Sequence, residues 1–232
     1  MAVARSSIVM TRRREQRDRA RRAQPWIVRL THWGNVVFLP VMAGSGLQIL
    51  MAFPYFGPRG QMYTWFPIQN WTAPEWMRIG GWLAGARHVH FAFAWALVAN
   101  ALLYLVYVFA SGEWRRRFFL PRRDAKQAVG TFAHYLRLRR DAPAQGFYNG
   151  LQRLAYTTAI VLGVVEVLSG LAMWKPVQLS YVAALFGGYD GARVVHFVGL
   201  VALALFVIMH VVLVAFHPRT LPPMITGGPV GQ

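Results

Sequence analysis

The 232-residue sequence contains no cysteine, and this absence excludes several classes of protein at once. Without cysteine there is no disulfide-stabilised secreted fold, no thiolate zinc site, no cysteine-ligated iron–sulfur cluster and no covalently attached c-type haem. Charged residues are also scarce, at 14% of the chain against about 25% in an ordinary soluble domain. Because hydrophobic residues make up 56%, the chain has ample apolar surface to bury and is not intrinsically disordered.

Charge is missing altogether from long stretches of the sequence. Residues 30–58, 91–110 and 194–216 contain no Asp, Glu, Lys or Arg, and residues 154–174 contain only Glu166. A helix needs about 20 mostly apolar residues to cross the hydrocarbon core of a membrane. The sequence therefore predicts an all-α, integral membrane four-helix bundle rather than a soluble protein with buried core helices. The predicted spans are about 27–51, 86–110, 151–174 and 191–216.

The basic residues are distributed unevenly along the chain. The net charge is +17, and the first 29 residues and the segment 115–140 each carry nine basic residues. Both segments lie on one side of a four-span protein, so the positive-inside rule predicts that both termini are cytoplasmic. The charge is therefore a topology signal and a contact with anionic lipids. Because the basic segments flank spans and no nucleic-acid motif accompanies them, we expect no nucleic-acid partner.

Three regions follow from this topology. Residues 1–25 form a basic cytoplasmic arm, residues 26–217 the membrane domain, and residues 218–232 a cytoplasmic tail. The arm is not a cleaved signal peptide, because the apolar run behind it is too long and no small-residue cleavage site follows. The outer loop, residues 52–84, is crowded with Trp, Tyr, Phe and Pro. Such aromatic residues favour the membrane–water interface, although they could equally form a docking surface for a partner.

Histidines are the residues most indicative of chemistry. Of the seven, five fall inside or at the ends of the spans, where a histidine is costly and usually faces a functional site in the bundle interior. A single such histidine could equally be a structural residue that bonds a neighbouring helix, so the arrangement of the set matters. The five are His32, His88, His90, His196 and His210.

The spacing of these histidines predicts two ligand pairs at two depths. His196 and His210 are 14 residues apart on the fourth span, about 21 Å along one face of a helix. His32 matches the depth of His210 near the cytoplasmic surface, and His90 matches the depth of His196 near the outer surface. The pairs His32–His210 and His90–His196 suit two b-type haems held in a helix bundle. Zinc is disfavoured, because the pairs are far apart and no carboxylate or cysteine completes a tetrahedral site.

His88 is an open alternative to His90 as the outer ligand. The two residues point about 200° apart on a helix, so only one of them faces the bundle interior. Their depths differ by about 3 Å, which does not separate them.

The chain resembles the membrane cytochrome b subunits of formate dehydrogenase (the gamma subunit), thiosulfate reductase and Ni,Fe-hydrogenase over about residues 26–216. The resemblance rests on four motifs and on the 14-residue spacing of the last two span histidines. The motifs are Arg-Leu-Thr-His-Trp at 29–33, Arg-His-Val-His at 87–90, Tyr-Asn-Gly-Leu-Gln-Arg at 148–153 and Ser-Gly-Leu-Ala-Met-Trp-Lys-Pro at 169–176. It implies a di-haem, four-helix protein of the bacterial inner membrane, and its Arg-x-x-His pattern favours His90 over His88.

The resemblance also implies a quinone site beside the cytoplasmic haem, at Asn149 and less surely at Gln152. Both side chains can bond a quinone carbonyl without burying a charge, although Asn149 is also a favoured helix N-cap residue. Arginines near the span ends could pair with haem propionates or reach the lipid headgroups. These are Arg29, Arg87, Arg153 and Arg193.

Glu166 is a lone carboxylate inside the third span and has no match in the family pattern. It could relay protons or pair with His88, His90 or Arg193, or be a protonated residue without a catalytic part. His134 and His217 lie outside the apolar runs and are interpreted as surface residues.

The sequence thus predicts an electron-transfer subunit that carries two haem b groups. It would exchange electrons with the quinone pool near the cytoplasm and with a catalytic or iron–sulfur subunit on the periplasmic side. A stand-alone cytochrome b561-like carrier would need no partner and is one alternative. A proton-conducting transporter that uses the histidines and Glu166 is another, and it would contain no haem.

Overall fold

The computed structural model describes residues 24–59, 61–135, 137–140, 148–216, 218 and 221–228. Regular structure within these residues is entirely helical, and one short 3-10 turn, Glu75–Met77, lies between the first two helices. The predicted N-terminal arm lies almost wholly outside the described residues, as does His217. The α-helices are α1 (Trp26–Leu50), α2 (Leu83–Ala110), α3 (Trp114–Arg117), α4 (Pro121–Tyr135), α5 (Gly150–Trp174), α6 (Ser180–Leu185), α7 (Gly188–Phe216) and α8 (Leu221–Thr226).

Four helices, α1, α2, α5 and α7, are long and apolar enough to cross a membrane. They confirm the predicted all-α fold with four spans. The ends of α1 and α5 differ from the predicted spans by one residue or less, whereas α2 and α7 each begin three residues earlier. The predicted spans were limited by the apolar runs, and these two helices extend beyond them toward the membrane surface.

The spanning helices associate as two pairs. Among them, extensive packing joins α1 to α2 and α5 to α7, while the shorter helices α4 and α6 pack on α5. Only 6–17% of the most apolar stretch of each spanning helix is buried within the protein. Exposed side chains such as Val106 and Leu205 therefore present an apolar surface suited to lipid.

The segment between α1 and α2 packs over the outer end of the bundle. Its Phe56 is buried against Phe66 and against Phe197 of α7. The Gln69 side chain fixes the segment by accepting a hydrogen bond from the Phe56 amide and donating one to the Phe56 carbonyl. The aromatic residues are thus divided between an inner cluster and exposed tryptophans, namely Trp65, Trp71, Trp76 and Trp82.

An ion-pair cluster fixes the cytoplasmic layer to the bundle. Asp124 of α4 has a side chain only 1% exposed, and its Oδ1 lies 2.6 Å from Arg153 Nη1 of α5. Its carboxylate also accepts hydrogen bonds from Arg123 and from the Leu120 amide. The buried carboxylate therefore connects α4 directly to the first turn of α5.

Candidate functional site

The outer histidine pair joins α2 to α7. The ring centroids of His90 and His196 are 6.3 Å apart, with an interplanar angle of 67°. Each ring has a serine partner on the helix packed beside it. Ser45 Oγ of α1 lies 3.0 Å from His90 Nδ1, and Ser169 Oγ of α5 lies 2.9 Å from His196 Nδ1. The same arrangement therefore occurs once in each helix pair.

The hydrogen bonds of these serines indicate the histidine tautomer. Each hydroxyl donates to the carbonyl four residues earlier, Ser45 to Val41 at 2.7 Å and Ser169 to Val165 at 2.7 Å. Its lone pairs then accept a hydrogen bond from the histidine Nδ1–H. A neutral imidazole protonated at Nδ1 presents an unprotonated Nε2, which is the form that binds a metal.

Glycines make room for both outer rings. A Cβ atom on Gly46 would stand 3.3 Å from His90 Cε1, and one on Gly170 would stand 3.4 Å from His196 Cε1. The first distance is shorter than an ordinary van der Waals contact and the second is at its lower limit. A side chain at either position would therefore press on the histidine ring. The Ser-Gly-Leu sequences at 45–47 and 169–171 thus combine a hydrogen-bond partner with space for the histidine.

The inner histidine pair joins α1 to α7 near the cytoplasmic ends of these helices. The ring centroids of His32 and His210 are 6.0 Å apart, with an interplanar angle of 69°. Phe206 stacks on the His210 ring, and Trp33 meets the His32 ring edge-on. Asn100 of α2 bonds the Thr31 carbonyl and so fixes α1 to α2 beside this pair.

Both pairs have the dimensions expected of a bis-histidine haem site. An imidazole nitrogen lies about 2 Å from a metal that it binds, so two rings on opposite sides of one iron have centroids about 6 Å apart. The observed separations of the ring centroids are 6.0 and 6.3 Å. Each histidine pair connects the α1–α2 helices to the α5–α7 helices. The residues present therefore fit two haem groups. The described residues contain no cluster of three or more His, Cys, Asp or Glu that could hold a separate metal ion.

The structure separates His88 from His90. His88 is exposed, and its Nδ1 lies 2.8 Å from the Ala84 carbonyl of its own helix. His90, on the other face of α2, is the residue that meets His196. The predicted depths left both residues open, and the rotation of α2 about its axis directs His90, rather than His88, toward His196.

Asn149 and Gln152 form a capping box at the start of α5. Asn149 Oδ1 accepts a hydrogen bond from the Gln152 amide at 2.8 Å, and Gln152 Oε1 accepts one from the Asn149 amide at 3.1 Å. Asn149 is buried, whereas Gln152 is exposed. The structure therefore contains the helix cap that was the alternative role for Asn149. Each side chain retains its NH2 group, so capping does not exclude a role toward quinone.

The arginines predicted to contact propionates differ in their surroundings. Arg29 Nη1 donates to the Ile225 carbonyl of α8 at 2.6 Å, while its Nε is buried without a hydrogen-bond partner among the described residues. Arg193 donates to the Phe53 carbonyl at 2.9 Å, and Arg153 binds Asp124. Arg87 is exposed. Of the four, Arg29 retains a buried donor for a further acceptor near the cytoplasmic surface.

Glu166 contacts a histidine other than those expected. Its Oε2 lies 3.1 Å from Nδ1 of His196, rather than pairing with His88, His90 or Arg193. No contact with a histidine was predicted for Ser45 or for Ser169, although Ser169 is the first residue of one of the family motifs. The recurrence of Ser-Gly-Leu on the two outward-running spans is the signal that could have identified both serines.

This chain belongs to the prokaryotic cytochrome b561 family, whose pattern matches residues 23–227. It is also 39% identical, over 203 residues, to a protein of Azospira oryzae named "Putative protein-methionine-sulfoxide reductase subunit YedZ1". The match covers 88% of this chain and 94% of that relative. No solved structure matches the chain.

Family and fold together establish the general class of the protein. It is a multi-pass protein of the bacterial inner membrane and a haem b-binding electron-transfer cytochrome. The prediction of a membrane cytochrome b is thus confirmed at the level of family. The particular resemblance to subunits of formate dehydrogenase, thiosulfate reductase and hydrogenase remains a prediction.

Proposed function

We propose that this chain is a di-haem cytochrome b subunit that carries electrons between the membrane quinone pool and a partner oxidoreductase at the outer face. The observation that carries the proposal is the pairing of His32 with His210 and of His90 with His196 at centroid distances of 6.0 and 6.3 Å. Two sites at two depths on α7 provide a route across the bilayer, whereas a single site would reach only one surface.

The histidines and serines supply the coordination and its orientation. Haem iron held by two histidines accepts and returns one electron at a time. Ser45 and Ser169 hold the outer rings by accepting from Nδ1, so that Nε2 of each ring is directed toward the iron. The separation of His196 from His210 along α7, about 21 Å, assigns one haem to each half of the membrane.

The quinone site belongs at the cytoplasmic surface, beside the His32–His210 haem. Asn149 supports this assignment, because its amide NH2 remains available while its Oδ1 caps α5. A quinone carbonyl accepts a hydrogen bond from such a neutral donor without the cost of a buried charge. Gln152 is the second candidate, with its own NH2 group free of the capping box.

The partner acts on the outer side, and the relative from Azospira oryzae suggests its chemistry. That relative is named as a subunit of a protein-methionine-sulfoxide reductase. A partner that reduces methionine sulfoxide needs two electrons and two protons for each sulfoxide converted to a thioether and water. We therefore propose that electrons run outward from quinol to the partner, rather than inward as a formate dehydrogenase or hydrogenase partner would require.

Pyridine haemochrome quantitation of the purified full chain tests the proposal directly. We expect two haem b groups per chain, both reducible by a soluble quinol analogue. A haem-free protein, or one haem per chain with all four paired histidines intact, would contradict it. Co-purification with a partner reductase, and oxidation of the reduced haems when that reductase receives a peptide containing methionine sulfoxide, tests the direction of electron flow.

A further inference from the structure

Glu166 makes the two histidines of the outer pair chemically unequal. Its Oε2 lies 3.1 Å from His196 Nδ1, and its side chain is 17% exposed. Its second oxygen, Oε1, is buried and has no hydrogen-bond partner among the described residues. A polar oxygen left in this state is costly in an apolar interior, so the position of Glu166 needs an explanation.

The matching place in the other helix pair contains no acid. Glu166 precedes Ser169 by three residues, and Met42 precedes Ser45 by three residues. His90 therefore has a serine at Nδ1 but no carboxyl group from the corresponding turn, whereas His196 has both. The asymmetry arises from one side chain in an arrangement that is otherwise repeated.

Gly199 of α7 provides the space that Glu166 occupies. A Cβ atom at Gly199 would collide with Glu166 Oε1. Gly199 follows His196 by three residues, so the space lies next to the ring. The carboxyl group is thus accommodated by both helices at the His196 ring.

A carboxyl group at the Nδ1–H of a ligating histidine has a defined effect on the metal. It raises the basicity of the ligand and so stabilises the more positively charged, oxidised iron. Hydrogen bonding to an axial ligand is one of the means by which a protein sets a haem potential. We propose that Glu166 is a positioning residue that acts through His196 to lower the reduction potential of the outer haem. This inference rests on the proposed function, because it requires that His196 ligates a haem.

Redox titration of the purified full chain tests this role. In Glu166→Gln, which retains the shape of the side chain but replaces the carboxyl group with an amide, we expect the outer haem to become easier to reduce. The reduced-to-oxidised ratio at a fixed potential should rise about tenfold, equivalent to about 59 mV for one electron. The inner haem should not shift, and Glu166→Ala should shift the outer haem in the same direction. The outer haem is identified as the spectral component that His90→Ala removes.

Glu75→Gln is the matched control. Glu75 is another acid on the outer side, 94% exposed and paired with Arg78, and its loss should leave both potentials unchanged. Equal potentials in wild-type protein and both Glu166 variants would overturn the inference. Loss of the outer haem from Glu166→Gln would also overturn it, since Glu166 would then be required for binding rather than tuning. Wild-type protein without haem would instead reject the proposed function itself.

Discussion

The outer histidines show how one hydroxyl group determines which ring nitrogen is available. Ser45 and Ser169 each donate to their own helix backbone, so the remaining interaction with Nδ1 has a fixed direction. The ring cannot exchange its nitrogens without losing this bond. Partners of this kind orient metal-binding histidines, and removing one typically lowers metal affinity about 10–100-fold.

Ser45→Ala should therefore weaken the outer haem site while leaving the inner one intact. We expect the outer haem to leave at least about tenfold faster, because the His90 ring loses its orienting partner. The measurement is the rate of haem transfer to excess apomyoglobin, followed optically. Ser111→Ala is the control, because the Ser111 hydroxyl lies at the other end of α2, where it bonds the Tyr107 carbonyl and the Glu113 amide. Equal transfer rates for both variants would contradict the orienting role.

The two neighbouring histidines of α2 allow a second comparison. His90→Ala should lose the outer haem and retain the inner one, because His196 then has no partner across the bundle. His88→Ala should retain both, because the His88 ring is exposed and bonds its own helix. Haem quantitation of both variants checks this. Loss of the outer haem from His88→Ala alone would show that the geometry of α2 in the holoprotein differs from the one described.

Sequence could predict the four paired histidines, because depth in the membrane follows from residue number alone. It could not select His90 without the family resemblance, since depth says nothing about helix rotation. The contacts of Ser169 and Glu166 with His196 could likewise not be predicted from the sequence. They require the packing of α5 against α7, which no residue pattern specified.

At the scale of elements, the start of α5 combines a helix cap with the proposed quinone site, and two substitutions separate these roles. Asn149→Ser retains a favoured N-cap oxygen but removes the NH2 donor, whereas Asn149→Ala removes both. If quinone binds the amide, both variants should slow haem reduction by a quinol analogue and retain both haems. Normal kinetics in Asn149→Ser with slow kinetics in Asn149→Ala would identify capping as the only role.

The connection between α4 and α5 depends on the ionised form of Asp124. Hydrogen bonds from Arg123, with those from Leu120 and Arg153, hold the pKa of Asp124 well below its usual range. A carboxyl group with a depressed pKa in the folded state stabilises that state above the unfolded pKa of about 4, and this contribution is lost as the pH falls toward the folded value. We therefore expect the thermal stability of the detergent-solubilised protein to decrease below about pH 4.

Asp124→Asn should lower stability at neutral pH and flatten this acid dependence. It removes charge-assisted hydrogen bonds worth about 2 kcal/mol and leaves Arg153, which is 16% exposed, without its carboxylate. Thermal denaturation between pH 3 and pH 7 gives both quantities. Glu75→Gln, which alters an exposed acid, should change neither. An acid profile of Asp124→Asn identical to that of the wild type would assign the pH dependence to other groups.

The helices differed in how far sequence could predict them. The four spans were predictable within three residues, because each is an apolar run with few competing interpretations. The short helices α3, α4 and α6 were not predicted. Their stability depends on contacts with α5 and on capping bonds such as that from the Leu120 amide to Asp124, rather than on a long apolar period.

For the whole molecule, the lengths and positions of the charge-free runs were sufficient to predict the class of fold, and the basic residues predict the orientation. What these runs could not predict is the association of the spans into two pairs. The α1–α2 pair and the α5–α7 pair each consist of spans adjacent in the chain. Both histidine pairs connect one of these hairpins to the other.

This arrangement bears on assembly of the protein. Each hairpin can insert and pack by local contacts. The hairpins meet through the packing of Phe56 on Phe197 and through the two histidine pairs, and in the proposed function the members of each histidine pair would also share one iron atom. Haem binding would then strengthen the association of the two hairpins, and haem starvation should leave both hairpins inserted in the membrane but loosely associated. Because the sequence has no cysteine, the substitutions Val37→Cys in α1 and Val212→Cys in α7 would provide unique attachment sites for spin labels. Both valines are exposed. We expect a narrow distance distribution between them in haem-replete protein and a broad one after starvation, and equally narrow distributions would show that the halves join without cofactor.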